Sequence, residues 1–252
     1  MMNQKTKTGI IIQARKGSTR LPGKMLLPFD GDKNVLEILL EKLKDHYSSY
    51  PIILATTTAP QDDKLAEIAR NKKLIVFRGN EENVLSRFVE AGEKYQLDNI
   101  IRVCADNPFL DMPHIQKLID EIENSDYDYV SYQNEEGLPV IKTHLGLFTE
   151  AAKLQSLKKI QKATDKPLYF EHVTNYIYEN PDNFKVNLLN LPEYFKQTKN
   201  IRLTLDTASD FEMEKKLYKK YGHLETRELI KKIKQEKDLL EKMKSEIDKN
   251  RK

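Results

Sequence analysis

The sequence predicts an α/β fold, with a mainly parallel central sheet and helices on both faces. Three observations predict it. The 252 residues suit one large domain, or one domain carrying a smaller inserted subregion. Hydrophobic residues make up 39% of the chain, enough to bury a sizeable core. Apolar runs of strand length also alternate with amphipathic segments of helical period as far as about residue 126, the order expected of βαβ units.

The elements follow in order. Residues 9–12 are an apolar run bounded by polar residues, a buried first strand. After a loop rich in Gly, Ser and Arg, Leu36, Leu39, Leu40 and Leu43 fall at helical spacing within 34–43. Residues 51–55 read as a second strand, 62–70 as a helix, 74–77 as a third strand and 83–95 as a helix. A fourth strand over 99–104 and a helix over 112–122 complete this part. Beyond Asp126 the pattern changes. Residues 127–200 mix strand-like pieces (129–132, 139–148 and 184–189) with helical stretches near 150–157 and 170–178, which suggests an inserted subregion for substrate or dimer contacts. A strand over 201–205 and a helix over 210–221 close the domain at residue 222, and 223–252 read as a basic amphipathic C-terminal helix.

Composition narrows the function classes. The formal net charge is only +3 with both signs interspersed, so no nucleic-acid binder is expected. One cysteine, Cys104, excludes an internal disulfide and a cysteine-rich zinc site. No apolar run reaches the roughly 18 residues of a membrane span, and the N-terminal residues lack the longer apolar stretch of a secretory signal. A cytoplasmic protein without membrane partners is expected.

Parallel sheets bind ligands at the carboxyl ends of their strands, and three clusters fall there. The first is the loop Gln13-Ala14-Arg15-Lys16-Gly17-Ser18-Thr19-Arg20-Leu21-Pro22-Gly23-Lys24. Its cations and glycines suit phosphate oxygens, and Pro22-Gly23 is a turn able to aim Lys24 back into the site. A solvated basic loop is the plainer alternative. The spacing is not that of a Walker A loop. The second cluster is Asp106-Asn107-Pro108 after the fourth strand, either a carboxylate for Mg²⁺ or an Asx turn before proline. The third runs from Leu205 through Asp206 and Thr207 to Asp210, where Asp206 suits a metal and Asp210 a helix cap.

Together these motifs resemble the CMP-sugar synthetase superfamily, which includes the cytidylyltransferases for 3-deoxy-manno-octulosonate and for acylneuraminate. They are most similar to the spore-coat polysaccharide branch of the SpsF type. Also similar are Ala55-Thr56-Thr57 with Asp62-Asp63, Phe77-Arg78-Gly79 with Asn83 to Arg87, and Glu171-His172-Val173-Thr174. The similarity runs from about Gly9 to Tyr218 in unbroken motif order. It implies a Rossmann-like nucleotide-diphosphosugar-transferase fold, CMP transfer from CTP to a small sugar-like acceptor, Mg²⁺ dependence, a role in surface glycan biosynthesis and a homodimer. It places the nucleotide on Ala14, Arg15, Ser18, Arg20 and Lys24, with Arg15 and Lys24 catalytic. Arg78 and Arg87 would approach the nucleotide or the acceptor, and Asp106 and Asp206 would hold the metal. Two positions depart from the pattern: Thr204 stands where some members carry a second aspartate, and Asn83 where this branch often has aspartate.

Other residues invite two readings. His172 is either a substrate contact or a polar residue at a helix start, and Cys104 reads as a buried small residue. Tyr169, Tyr176 and Tyr178 suit core packing or a dimer seam better than ligand stacking. For an acceptor carboxylate, Arg78, Lys142 and His172 are the candidate cations. Two competing functions keep the fold: a glycosyltransferase consuming a nucleotide sugar, for which Asp126-Tyr127-Asp128 is the string to check, and an inactive nucleotide-binding scaffold.

Overall fold

The computed structural model describes residues 6–17 and 20–250. Its chain runs β1 (Thr8–Gln13), a hairpin of β2 (Pro28–Asp30) and β3 (Lys33–Asn34), α1 (Val35–Tyr47), β4 (Ile52–Thr57), α2 (Asp63–Asn71), β5 (Ile75–Gly79), α3 (Val84–Lys94), β6 (Asn99–Cys104) and α4 (Met112–Glu123). There follow β7 (Tyr129–Gln133), β8 (Glu150–Lys153), α5 (Leu154–Ala163), α6 (Pro167–Glu171), α7 (Asn175–Glu179), β9 (Val186–Asn190), α8 (Ala208–Tyr221), α9 (Thr226–Gln235) and α10 (Lys237–Lys249).

Among the described residues the main sheet has seven strands in the order β5-β4-β1-β6-β8-β7-β9. The first four are parallel; β8 is antiparallel to both β6 and β7, and β9 is parallel to β7. The α/β architecture is therefore the one expected. From β1 the chain steps outward to β4 and β5, then returns to β6 on the other side of β1. This reversal opens a crevice past the carboxyl ends of β1 and β6, where parallel sheets take their ligands.

Side-chain alternation in β1 feeds two cores. Ile10 and Ile12 face the layer holding α1, α2, α4 and α8, while Ile11 faces the layer of α3 and α5. Helix α1 begins with a capping box in which Asn34 accepts from the Glu37 N–H and Glu37 accepts from the Asn34 N–H. Asn83, the departure noted above, caps α3 by accepting from the Ser86 N–H at 2.8 Å.

Several expected elements differ. Residues 150–153 form strand β8, not the start of a helix: between β6 and β7 the ladder outweighs the helical propensity of Glu-Ala-Ala-Lys. Residues 139–148, expected as a strand, hold one 3₁₀ turn at Val140–Lys142 and an isolated bridge from Pro139 to Gln133. Pro139 has no N–H to donate to a ladder, and Gly146 at φ +64° bends the chain again. Residues 201–205 are buried but form no strand, bonding to loops instead of the sheet: the Leu203 N–H donates to His144 O and the Leu205 N–H to Asp106 O. The helix expected over 170–178 is split into α6 and α7. Likewise the C-terminal helix is two helices, parted at Glu236 with φ −94° and ψ 88°. Residues 127–200, expected as an insertion, supply three strands to the same sheet.

Candidate active site

The loop after β1 is shaped by its backbone. Its Lys16 N–H donates to Asp62 Oδ1 at 2.7 Å, and Asp62 also accepts from the hydroxyls of Thr56 (3.1 Å) and Thr57 (2.5 Å). Asp62 is fully buried, so this carboxylate ties the loop to the end of β4. Further on, Gly23 adopts φ +70° and its N–H returns to Lys16 O at 3.2 Å. That left-handed turn needs glycine, and it sends Lys24 back under the loop, as Pro22-Gly23 led us to expect.

Lys24 is the hinge of the site. Its Nζ donates to Asp106 Oδ2 at 2.7 Å and to Leu205 O at 2.5 Å. Burial would lower its pKa, but the Asp106 carboxylate more than offsets this, so the ammonium is held above its ordinary value and stays charged. Arg20 donates to Asp206 Oδ1 at 2.8 Å. The three clusters, far apart in sequence, thus meet at one point. They line a cavity of about 240 Å³ together with Ala14, Arg15 and Arg87. Ser18 lies outside the described residues.

Arg15 reaches Glu171 at the end of α6, at 3.1 Å. Arg87 is buried, with Nη1 donating to the carbonyls of Asn80 (2.7 Å) and Glu81 (3.1 Å). Burial first, and the nearby Arg15 charge second, push its pKa down to about 10. Its position suits a bound anion, which would relieve both effects. Arg78 is not brought into the site. Its guanidinium donates to Thr57 O (2.7 Å), Ala59 O (2.8 Å) and Asp63 Oδ1 (2.6 Å), which pins the turn before α2.

The second carboxylate is held from behind. Arg202, fully buried, grips Asp210 through Nε and Nη2, each at 2.7 Å, and reaches Asp206 Oδ2 at 3.1 Å. It also contacts His144 Nδ1. A guanidinium only donates, so that ring nitrogen accepts. The N-cap of α8 is Thr207, not Asp210 as expected; Asp210 lies at the third helical position and completes the capping box. The Thr204 hydroxyl donates to Asp206 Oδ2 at 3.3 Å, so the residue that replaces a second aspartate steadies the first. Behind this cluster lies Glu214, wholly buried, whose carboxyl oxygens meet no partner among the described residues. Burial, with Asp210 adding to it, pushes its pKa well up.

A larger cavity of about 680 Å³ opens from the same point and shares Gln13, Arg20, Asp106, His172 and Asp206 with the first. Its far wall carries Lys142, Asn175 and Tyr178. Lys142 lies 3.4 Å from Glu179 and 4.7 Å from the centre of the Tyr178 ring. His172 sits just past α6 and faces both cavities, a placement that favours the contact reading over a helix start. Cys104 also lines both and is only partly buried, unlike the core residue expected. Of the tyrosines, Tyr169 and Tyr176 pack edge to face at 5.0 Å, and Tyr178 alone of the three lines this cavity.

One network here escaped the sequence reading. Arg102 on β6 bonds Gln13 Oε1 at 3.1 Å and pairs with Glu150, its cross-strand neighbour on β8. Glu150 also accepts from the hydroxyls of Tyr129 (2.5 Å) and Thr174 (2.8 Å). The available signal was an arginine inside an apolar strand, which demands a buried partner. The Asp126-Tyr127-Asp128 string has a structural use: Asp126 pairs with Lys185, and Asp128 accepts from Ser156 Oγ (2.7 Å) and the Lys185 N–H (2.9 Å).

Asp106 and Asp206 offer hard oxygen donors beside the cationic loop that follows β1. Mg²⁺ commonly takes one or two protein carboxylates and completes its shell with water and substrate phosphates, so this donor set fits it. No group of three or more metal-ligating side chains occurs among the described residues.

Residues 9–245 match the family described as cytidylyltransferase. An uncharacterized protein of Methanocaldococcus jannaschii is 41% identical over 222 residues, covering 87% of each chain. The spore coat polysaccharide biosynthesis protein SpsF of Bacillus subtilis is 37% identical over 221 residues, covering 84% of this chain and 86% of that one. Among solved structures, a cytidylyltransferase from Leptospira borgpetersenii superposes with a TM-score of 0.82 at 31% identity, covering 93% of this chain and 97% of that one.

Proposed function

This chain belongs to the cytidylyltransferase family, and from that premise we propose that it transfers CMP from CTP to a sugar acid or related hydroxyl-bearing acceptor for surface glycan biosynthesis. The observation that carries the reading is Lys24, which ties the phosphate loop to both Asp106 and the backbone beside Asp206.

An acceptor oxygen attacks the α-phosphorus, the bond to the bridging oxygen breaks, pyrophosphate leaves and the acceptor proton passes to solvent or a nearby base. Charge grows on the phosphate oxygens, so positioning and fixed positive charge carry most of the catalysis. Arg15, Arg20 and Lys24 neutralise the triphosphate in the smaller cavity, with Arg87 behind it. The backbone of the loop, fixed by Asp62, sets the approach to the phosphates. Asp106 and Asp206 would hold Mg²⁺, whose chemistry is to polarise the phosphate and acidify a bound hydroxyl. The larger cavity receives the acceptor, with His172 and Lys142 as contacts for its polar groups. We further propose a cytoplasmic homodimer. Among the described residues no helix is long and apolar enough to cross a membrane.

The test is pyrophosphate release with each of the four nucleoside triphosphates against sugar acids, polyols and phosphorylated acids, with Mg²⁺ and with EDTA. Release with CTP and one acceptor class, abolished by EDTA, is expected. Release of a nucleoside mono- or diphosphate from a nucleotide sugar, with no pyrophosphate released from CTP, would replace this reading with the glycosyltransferase one.

A further inference from the structure

Three of the cations expected on the triphosphate are paired with carboxylates of the same site. Lys24 lies 2.7 Å from Asp106, Arg20 lies 2.8 Å from Asp206, and Arg15 lies 3.1 Å from Glu171. The first two carboxylates are the ones assigned to the metal. Lys24 is mostly buried, with 11% of its side chain exposed, and so is Asp206, at 10%. The Lys24–Asp106 pair is therefore poorly screened by solvent; in the Arg20–Asp206 pair only the carboxylate is buried, and the Arg15–Glu171 pair, open on both sides, contributes little.

We propose that Lys24 and Arg20 are exchangeable counter-ions. Without nucleotide they neutralise Asp106 and Asp206; with it they turn to the triphosphate while a divalent cation takes over the carboxylates. Once ligands enter, like charges are kept apart best when both are present. A divalent cation alone must compete with an ammonium and a guanidinium already seated on its ligands, and its arrival leaves excess positive charge. A triphosphate alone draws those cations away, which strips Asp106 of its Lys24 partner and leaves Asp206 with only Arg202 behind it, both carboxylates facing a polyanion. With both ligands bound, the cations face the triphosphate and the carboxylates face the divalent ion, so no group is set against its own sign. Each therefore raises the affinity for the other, by the roughly 5- to 150-fold typical of coupled sites and by the same factor in both directions. Lys24 acquires a second role, as a gate on metal binding, beyond contacting phosphate. The proposal rests on Asp106 and Asp206 being the metal ligands.

Binding, not turnover, tests it. Mn²⁺ serves as the metal probe, with the free ion counted by electron paramagnetic resonance, and CTP in EDTA serves as the nucleotide probe, measured by calorimetry. Lys24→Met keeps the unbranched stem and removes the charge. It is expected to bind Mn²⁺ at least tenfold more tightly than wild type without nucleotide. Asp106→Asn is expected to bind metal-free CTP at least fivefold more tightly, because Lys24 is released. Arg20→Met, at a half-exposed position, repeats the metal test at Asp206 should Lys24→Met fold poorly. Unchanged or weaker Mn²⁺ binding by the folded lysine variant overturns the exchange. If wild-type turnover is still lost in EDTA, the metal reading survives that result. A gain that persists in the Lys24→Met/Asp106→Asn double variant removes Asp106 as the ligand, and the exchange with it.

Discussion

Gly146→Ala is a single methyl placed where the fold has no room. Gly146 holds φ +64°, and a Cβ there would stand 1.8 Å from Leu203 O and 2.4 Å from Leu203 C. Ordinary C···O contacts are about 3.3–3.6 Å, so the facing backbone must retreat by roughly 1.5 Å. That backbone is the stretch 201–205, anchored by the Leu203 N–H on His144 O at 2.9 Å. It carries Arg202 and leads into Asp206. The left-handed backbone costs an alanine about 1–2 kcal/mol. Overpacking costs about 1–3 kcal/mol and a strained hydrogen bond about 1 kcal/mol. A loss of about 3–6 kcal/mol is expected, which in a chain of this size lowers Tm by about 6–24 °C. Because Asp206 moves with the segment, kcat should fall by about 10²-fold, the usual result of a displacement near 1 Å. Thermal melts by circular dichroism and pyrophosphate release measure the two effects. A variant melting within about 2 °C of wild type, with unchanged kcat, would refute the close approach.

Asp206→Asn keeps the hydrogen-bonding shape but removes the charge; turnover should drop by about 10²–10³ while the circular dichroism spectrum stays that of wild type, and near-normal pyrophosphate release would count against the assignment. Asp62→Ala deprives the loop N–H and two threonine hydroxyls of their acceptor; a loss of about 3–5 kcal/mol in urea unfolding is expected, with a raised KM for CTP, and a loss under 1 kcal/mol would contradict the anchoring role. Glu214 has a folded pKa above its ordinary 4.5, so its contribution to stability is complete below 4.5 and is lost as pH rises towards the folded value. Over that window wild type should lose about 1.4 kcal/mol per pH unit through this group, and Glu214→Gln should not. Equal slopes of stability against pH in the two proteins, just above about pH 5, would exclude a neutral buried Glu214.

The turn of the cationic loop after β1 was legible because its chemistry is local. Pro22-Gly23 needs only its own backbone preferences to make a turn, and Lys24 follows it. The first four strands were legible for a similar reason: apolar runs buried on both faces have little other use. Strand β8 was not, because Glu150-Ala151-Ala152-Lys153 owes its extended shape to β6 and β7 on either side. Arg78 misled for a related reason: it sits in a family-like motif, yet nearby carbonyls and Asp63 claim its donors. Arg102 and Arg202 were overlooked because their partners lie at Glu150 and Asp210, and neither spacing is a recognisable motif.

By itself, the sequence determined the parts of the clamp: a glycine-bearing cationic loop after the first strand, and an aspartate at each of two later chain positions. Those follow from short-range rules of turns, strand ends and hydrogen-bonding capacity. Only the tertiary structure decided that they meet. The return of the chain from β5 to β6 puts Asp106 beside the loop, and the bond from Leu205 N–H to Asp106 O brings Asp206 next to it. Only there do the cations settle on the carboxylates, because ion pairing falls off with distance and depends on burial, and neither quantity is written in a linear chain.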